Sequence, residues 1–302
     1  MQILAVPAAG PTYTYHVFTS SGTLTVTTNG NVDVLSVGGG ASGGAGIGGG
    51  GGAGELDLYT SASLTGNVTV TIGAGGALQT VNGTDGVNGG TTTFGAFTSS
   101  LGGGAGSASN NGFAGGSGGG GGGATGLNPA TGGSASGSNT FAGGSGDFGS
   151  NYFYAGGGGG ATAVGVNGAQ GVAGNGGQGY LLTTIDPRLT SANFTTLAGM
   201  TRLSSGAGGG NMNRTPNPNT GVSGTGGTNA GNGGNDFDDG LSGILKSVAT
   251  SAVSYGSGGG GGGWNGTGNA ASGAGKAGVV IVRYLTGTVV ASGGNETVAI
   301  AV

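Results

Sequence analysis

The chain has 302 residues, of which 86 are glycine and none cysteine, with a formal charge of −4 and only 5% charged residues. Disulfides, thiolate metal sites and cysteine nucleophiles are therefore excluded. The 6 basic residues are scattered and give no clustered footprint for nucleic acid.

Collagen fails as an explanation of the glycine, because it needs glycine at every third position and abundant proline, and proline totals 6. Disorder fits poorly as well, since the apolar fraction is 34% where disordered chains are polar and highly charged. No apolar run reaches the ~18 residues of a membrane-spanning helix. Residues 1–9, MQILAVPAA, lack the basic start and the length of a secretory signal.

Residues 12–37, TYTYHVFTSSGTLTVTTNGNVDVLSV, alternate apolar and polar positions between Ser-Gly and Asn-Gly breaks. That period predicts three strands of antiparallel type joined by tight turns. Further strands are expected at 67–72 (NVTVTI), at 91–97 (TTTFGAF) and, most strongly, at 276–287 (KAGVVIVRYLTG). Residues 288–302 read as a closing hairpin turning at Ser292-Gly293-Gly294-Asn295. The two ends of the chain are expected to pair. Two inserts carry side chains. Residues 180–203 are apolar enough to pack. Residues 235–258 place Leu241, Ile244, Leu245 and Val248 at helical spacing, which predicts one short α-helix near 239–255, capped by Asp238 or Asp239.

Between these elements lie glycine tracts at 38–54, 102–106, 115–123, 156–160, 171–179, 206–210 and 256–263. Glycine costs about 1 kcal/mol relative to alanine in an α-helix, so helix is disfavoured. A polyproline-II-type rod, with about three residues per turn and ~3.1 Å rise, remains open. Such a rod makes no internal hydrogen bonds, so its N–H and C=O groups need lateral partners. Without Cβ atoms, neighbouring rods can approach closely enough to supply them. The expected architecture is all-β with a polyglycine-II sandwich, as one domain over 1–302. Strands 12–37 and 276–302 frame a glycine-rich body at 38–275.

The motifs for chemistry are weak. With this much glycine, GxGxxG is expected by chance about seven times, and no strand–GxGxxG–helix unit accompanies it. Gly275-Lys276 lacks the other positions of a phosphate loop. Asp236, Asp238 and Asp239 are the weak metal candidates, although the EF-hand spacing fails at Gly240 and Ser247. His16, the lone histidine, reads as a packed strand residue. No cofactor is expected and the protein is expected not to be an enzyme. A polysaccharide-degrading role would need paired carboxylates, for which Asp147 with Asp186, or Asp236 with Asp239, are candidates by elimination. Aromatics cluster where tracts end: Phe148, Tyr152, Phe153 and Tyr154 before 156–160, Trp264 after 256–263, and Phe113 and Phe141 near other ends. Rings at such tips give contact area at low entropic cost. They are candidate receptor contacts, or else plugs that shield the rod ends.

VLSVGGG at 34–40, VTVTIGAGG at 68–76 and GVVIVRY at 278–284, in that order around the tracts, resemble the glycine-rich domain of bacteriophage tail-fibre and receptor-binding proteins, including polyglycine-II sandwich adhesins. The resemblance covers about residues 13–285. It implies an extracellular virion protein on a tail or fibre that binds other virion proteins and recognises a host cell-surface glycan or outer-membrane protein through loops between rods. Threefold assembly is compatible with a fibre, and neither nucleic-acid binding nor membrane insertion is implied. The alternative is a purely architectural virion part: a head fibre, capsid decoration or tail-assembly protein.

Overall fold

A computed structural model of the chain describes residues 10–123, 130–148, 152–213, 222–237, 244–264 and 271–301. Its strands are β1 (Thr12–Phe18), β2 (Gly22–Thr28), β3 (Gly30–Val37), β4 (Leu56–Leu64), β5 (Val68–Thr71) and β6 (Thr93–Phe94) in the first third. The middle holds β7 (Asp147–Phe148), β8 (Tyr152–Tyr154), β9 (Tyr180–Leu181), α1 (Leu182–Ile185), β10 (Arg202–Leu203), β11 (Asn211–Asn213), β12 (Asn235–Phe237) and β13 (Ile244–Ser247). β14 (Val279–Leu285), β15 (Val290–Ser292) and β16 (Glu296–Ala301) close the chain. The fold is nearly all-β, as the alternating patterns predict.

One five-stranded sheet, in the order β16-β1-β14-β3-β4, is the middle layer of a sandwich. Period-two alternation in β14 divides its side chains between two cores. Val279 and Ile281 meet Tyr15, Leu35 and the insert residues Leu182, Leu189, Phe194 and Leu197. Val280, Val282 and Tyr284 meet Leu24, Val68, Val70 and Phe94 of the second sheet, β15-β2-β5-β6. The apolar 180–203 insert thus packs as its composition predicts. The two ends of the chain do pair, β1 lying between β14 and β16.

The glycine tracts run out of this sandwich as rods. β3 continues into 38–45, residues 48–55 lead into β4, and 272–278 lead into β14. Hydrogen bonds in the 48–55 rod repeat every third residue. The N–H groups of Gly48, Gly51 and Gly54 donate to residues 262, 259 and 256. Those of Gly49, Gly52 and Glu55 donate to 107, 104 and 101, and those of Gly50 and Ala53 to 156 and 159, all at 2.8–3.0 Å. The carbonyls follow the same period: Gly48 and Gly51 accept from 210 and 207, Gly49 and Gly52 from 44 and 41, Gly50 and Ala53 from 120 and 117. The rod is therefore bonded to six surrounding rods, as a helix of about three residues per turn permits. Ideal Cβ atoms at Gly49, Gly50 and Gly51 would each fall onto a neighbouring carbonyl. At these three positions only glycine allows this spacing.

Surrounding rods repeat the rule. In 38–45, residues 38, 41 and 44 donate to the central rod, 39, 42 and 45 to residues 90, 87 and 84, and 40 and 43 to 276 and 273. Outer rods show the same period as exposure. Val172, Asn175 and Gln178 face solvent on one rod, and Val222, Thr225 and Thr228 on the next. Asparagine side chains cap the outer N–H groups: Asn88 Oδ1 accepts from Ala105 N at 2.8 Å, Asn111 Oδ1 from Thr131 N at 2.9 Å and Asn167 Oδ1 from Ser145 N at 2.8 Å.

Away from the sandwich the rods end at a third sheet, β13-β12-β11-β8-β7. Ile47, the one bulky side chain of the 38–54 tract, packs there with Phe153 and Met212, and Trp264 lies against them. We call this the cap end. The helix expected near 239–255 is not found among the described residues. Ile244–Ser247 is strand β13, paired antiparallel with β12, and Val248, assigned to the apolar face, is 62% exposed. Residues 238–243 lie outside the described residues. The backbone after β13 stays extended, with Thr250 N donating to Asn232 O and Ala252 N to Ala274 O. An α-helix would have spent those groups internally and left neighbouring rods unpaired.

The expected 288–302 hairpin is also corrected. β15 and β16 do not pair with each other: β15 joins β2 of one sheet and β16 joins β1 of the other. The Gly293–Asn295 turn crosses between layers, so each strand satisfies an edge that would otherwise be open. His16 is fixed beside this turn. Its Nδ1 lies 2.9 Å from Gly293 O and its Nε2 2.9 Å from Tyr284 Oη. Burial lowers its pKa below 6.5, and the Gly293 contact opposes that only in part. A neutral folded imidazole means that stability is complete above about pH 6.5 and falls as pH drops below it, because the unfolded chain takes the proton first. Thermal unfolding should show this loss, and His16→Gln should flatten it.

Candidate functional site

The seven candidate aromatics do not converge. Phe153 and Tyr154 are 3% and 2% exposed and serve as plugs, Phe153 under Ile47. Phe148 is 37% exposed at the cap end, in β7, whose partner strand β8 carries the half-buried Tyr152. The Tyr152 ring lies 5.4 Å from that of Tyr154. Trp264 is partly buried at the same end. Phe113 and Phe141 are exposed but belong to outer rods on the flank, where their backbones bond to Ala105 and Gly118. What the cap end presents is thus Phe148, Tyr152 and part of Trp264. Gly123, Phe148, Asn213, Phe237 and Trp264, each the last residue before a stretch outside the described residues, also lie at this end.

Asp236 lies in β12, while Asp238 and Asp239 lie outside the described residues. No group of three metal-ligating side chains occurs among the described residues. The suggested carboxylate pair Asp147 and Asp186 is not assembled: Asp147 is in the cap sheet, and Asp186 follows α1 against the sandwich.

Asp186 instead centres a polar cluster that no sequence motif marks. Tyr15 Oη and Arg283 Nη1 each donate to its Oδ2 at 2.7 Å, and Arg188 Nε donates to Oδ1 at 2.7 Å. Arg283 also pairs with Asp33, its register partner on β3. The Tyr13 ring stacks against both guanidinium groups, 4.4 Å from Arg188 Cζ and 5.3 Å from Arg283 Cζ. Burial alone would raise the Asp186 carboxyl, but the bonds from Arg188, Tyr15 and Arg283 outweigh it and hold its pKa at about 2. Burial, then the bond to Asp186, pushes the Tyr15 phenol up. Asp33 and Arg283 leave one trace in the sequence: each is a lone charge inside an apolar strand pattern.

Beside the cluster a cleft of about 120 Å³ opens between the 180–203 insert and edge strand β4. Leu35, Leu58, Ile185, Leu189 and Ile281 form apolar walls, and Asp33, Thr60, Asp186, Arg283 and Tyr15 supply polar groups.

No curated protein matches the chain. A family model described as a glycine-rich domain matches residues 19–285, from just after β1 to the last residue of β14. The rod bundle and the strands from β2 to β14 fall within that match, and the chain belongs to the glycine-rich domain family.

Proposed function

We propose that the chain is a non-enzymatic bacteriophage virion protein, a tail-fibre or fibre-tip component that meets the host cell surface with its cap end. The observation that carries this reading is the rod lattice. Rods bonded on all sides hold the cap sheet rigidly away from the sandwich, and the edge of that sheet exposes Phe148 on one face and part of Tyr152 on the other. Pre-ordered aromatic contacts bind without a large ordering cost. The motif resemblance to tail-fibre proteins supports the phage setting, and the family match supports the glycine-rich architecture. The partner class is a host surface glycan or outer-membrane protein.

Purified protein should bind susceptible host cells. The double variant Phe148→Ala/Tyr152→Ala should lose binding by about tenfold or more, as expected for truncating central aromatic contacts, while keeping its unfolding midpoint. Unchanged binding would remove the cap end from the contact. No binding by either protein would favour the architectural reading, to which the asparagine-sealed flank also lends support.

A further inference from the structure

We propose that the cleft between the insert and strand β4 is a binding site for a neutral, ring-shaped polyol such as a single pyranose unit. The proposal does not depend on the cap end, which lies at the opposite end of the rods.

Size comes first. At about 120 Å³, the open cleft is smaller than the ~150 Å³ cavity that takes up benzene, so it seats one face and edge of a single six-membered polyol ring and leaves the rest of that ring in solvent. Its walls are aliphatic, from Leu35, Leu58, Ile185 and Leu189. They suit the C–H faces of such a ring and exclude water from its polar edge.

The polar groups select hydroxyls over an unsubstituted hydrocarbon. Of the five N–H groups of Arg283, Nε and Nη2 each give one to Asp33 and Nη1 gives one to Asp186. The two remaining point to no acceptor among the described residues. Asp33 takes Ser61 N on Oδ1 at 2.9 Å, and a carboxylate oxygen can accept a second bond. A donor and an acceptor therefore sit side by side, an arrangement that a vicinal diol satisfies by accepting from one and donating to the other. Side-chain exposures of 27% for Arg283 and 34% for Asp33 leave both reachable.

Charge argues for a neutral ligand. Arg188 and Arg283 are matched by Asp33 and Asp186. An ionic ligand would have to compete with these contacts, and breaking a partly buried pair is costly. A hydroxyl ligand adds to the pairs without displacing them.

Amide NMR titration of the whole chain with glucose, galactose and rhamnose tests the idea, with glucuronate as the charged probe. At least one neutral sugar should give saturable millimolar shifts at Asp33, Leu58, Thr60 and Ile185. Leu58 is 44% exposed on an edge strand, so Leu58→Trp should fill the cleft and abolish the shifts without changing the melting temperature. Asp33→Asn should weaken binding about tenfold or more, as for a lost bond to a charged group. Phe148→Ala/Tyr152→Ala should leave the titration unchanged, which separates this site from recognition at the cap end. Absence of saturable shifts with every neutral sugar, shifts that survive Leu58→Trp, or tighter binding of glucuronate would each overturn the proposal.

Discussion

Gly50→Ala should destabilise the protein by about 3 kcal/mol or more, at or above the upper end for overpacked sites. An ideal Cβ there falls onto the carbonyl of Ala207 and comes within 2.9 Å of Gly208 O. In an ordinary core a side chain would move aside. Here the obstacle is backbone, and that backbone is itself bonded: Ala207 N donates to Gly51 O, and Gly50 is tied through its N–H to Gly156 and through its carbonyl to Gly120. Relieving the clash breaks bonds worth about 1 kcal/mol each. Adding Gly51→Ala places a second methyl onto Ala41 O and should leave no folded protein, given typical stabilities of about 5–15 kcal/mol. Urea midpoints read the single variant and soluble yield the double. Val87→Ala, at an exposed outer-rod position, should stay within about 0.5 kcal/mol. Equal tolerance of Gly50→Ala and Val87→Ala would contradict close rod packing.

Asp186→Asn should cost about 3–5 kcal/mol, the range for breaking one side of a buried ion pair. The side chain is 4% exposed and takes bonds from Tyr15, Arg188 and Arg283, so two guanidinium groups lose their shared partner. The same residue sets the acid limit. Its folded pKa of about 2 lies below the ordinary 3.8, so its contribution, about 2 kcal/mol, is whole above pH ~4 and disappears as pH falls towards ~2. Urea midpoints taken through that window should slope downward in the native protein. Asp186→Asn should remove most of the slope, and a slope that persisted would assign the acid sensitivity to other carboxylates.

Much of the architecture is legible in the sequence because it obeys short periods. Alternation in 12–37 and 276–287 marks strands of the two sheets, and uninterrupted glycine at 48–52 marks a rod with neighbours on every side. A second signal is present but easily missed. In VAGNGGQ at 172–178 and VSGTGGT at 222–228, every third residue is large or polar, and those are the solvent-facing positions of outer rods. Ile244, Leu245 and Val248 mislead because their spacing fits a helix, while the neighbours of that segment demand an extended backbone. Local pattern cannot report that demand. Nor does spacing reveal the Asp33–Arg283–Asp186 cluster, whose members are 250 and 97 residues apart along the chain. The aromatic candidates divide by what covers them, which their order along the chain does not show. Phe148 and Phe153 are register partners, yet Ile47 covers Phe153 while Phe148, on edge strand β7, stays exposed.

The threefold bonding rhythm of the inner rods constrains how such a gene can change length. Losing or gaining one glycine codon turns every later donor by about a third of a turn and aims it at the wrong neighbour. A change of about three codons restores the aim and only shifts the tract by one repeat. Length changes in the glycine tracts would therefore be filtered in multiples of about three residues inside the bundle, while the linkers between rods stay free to vary by single residues.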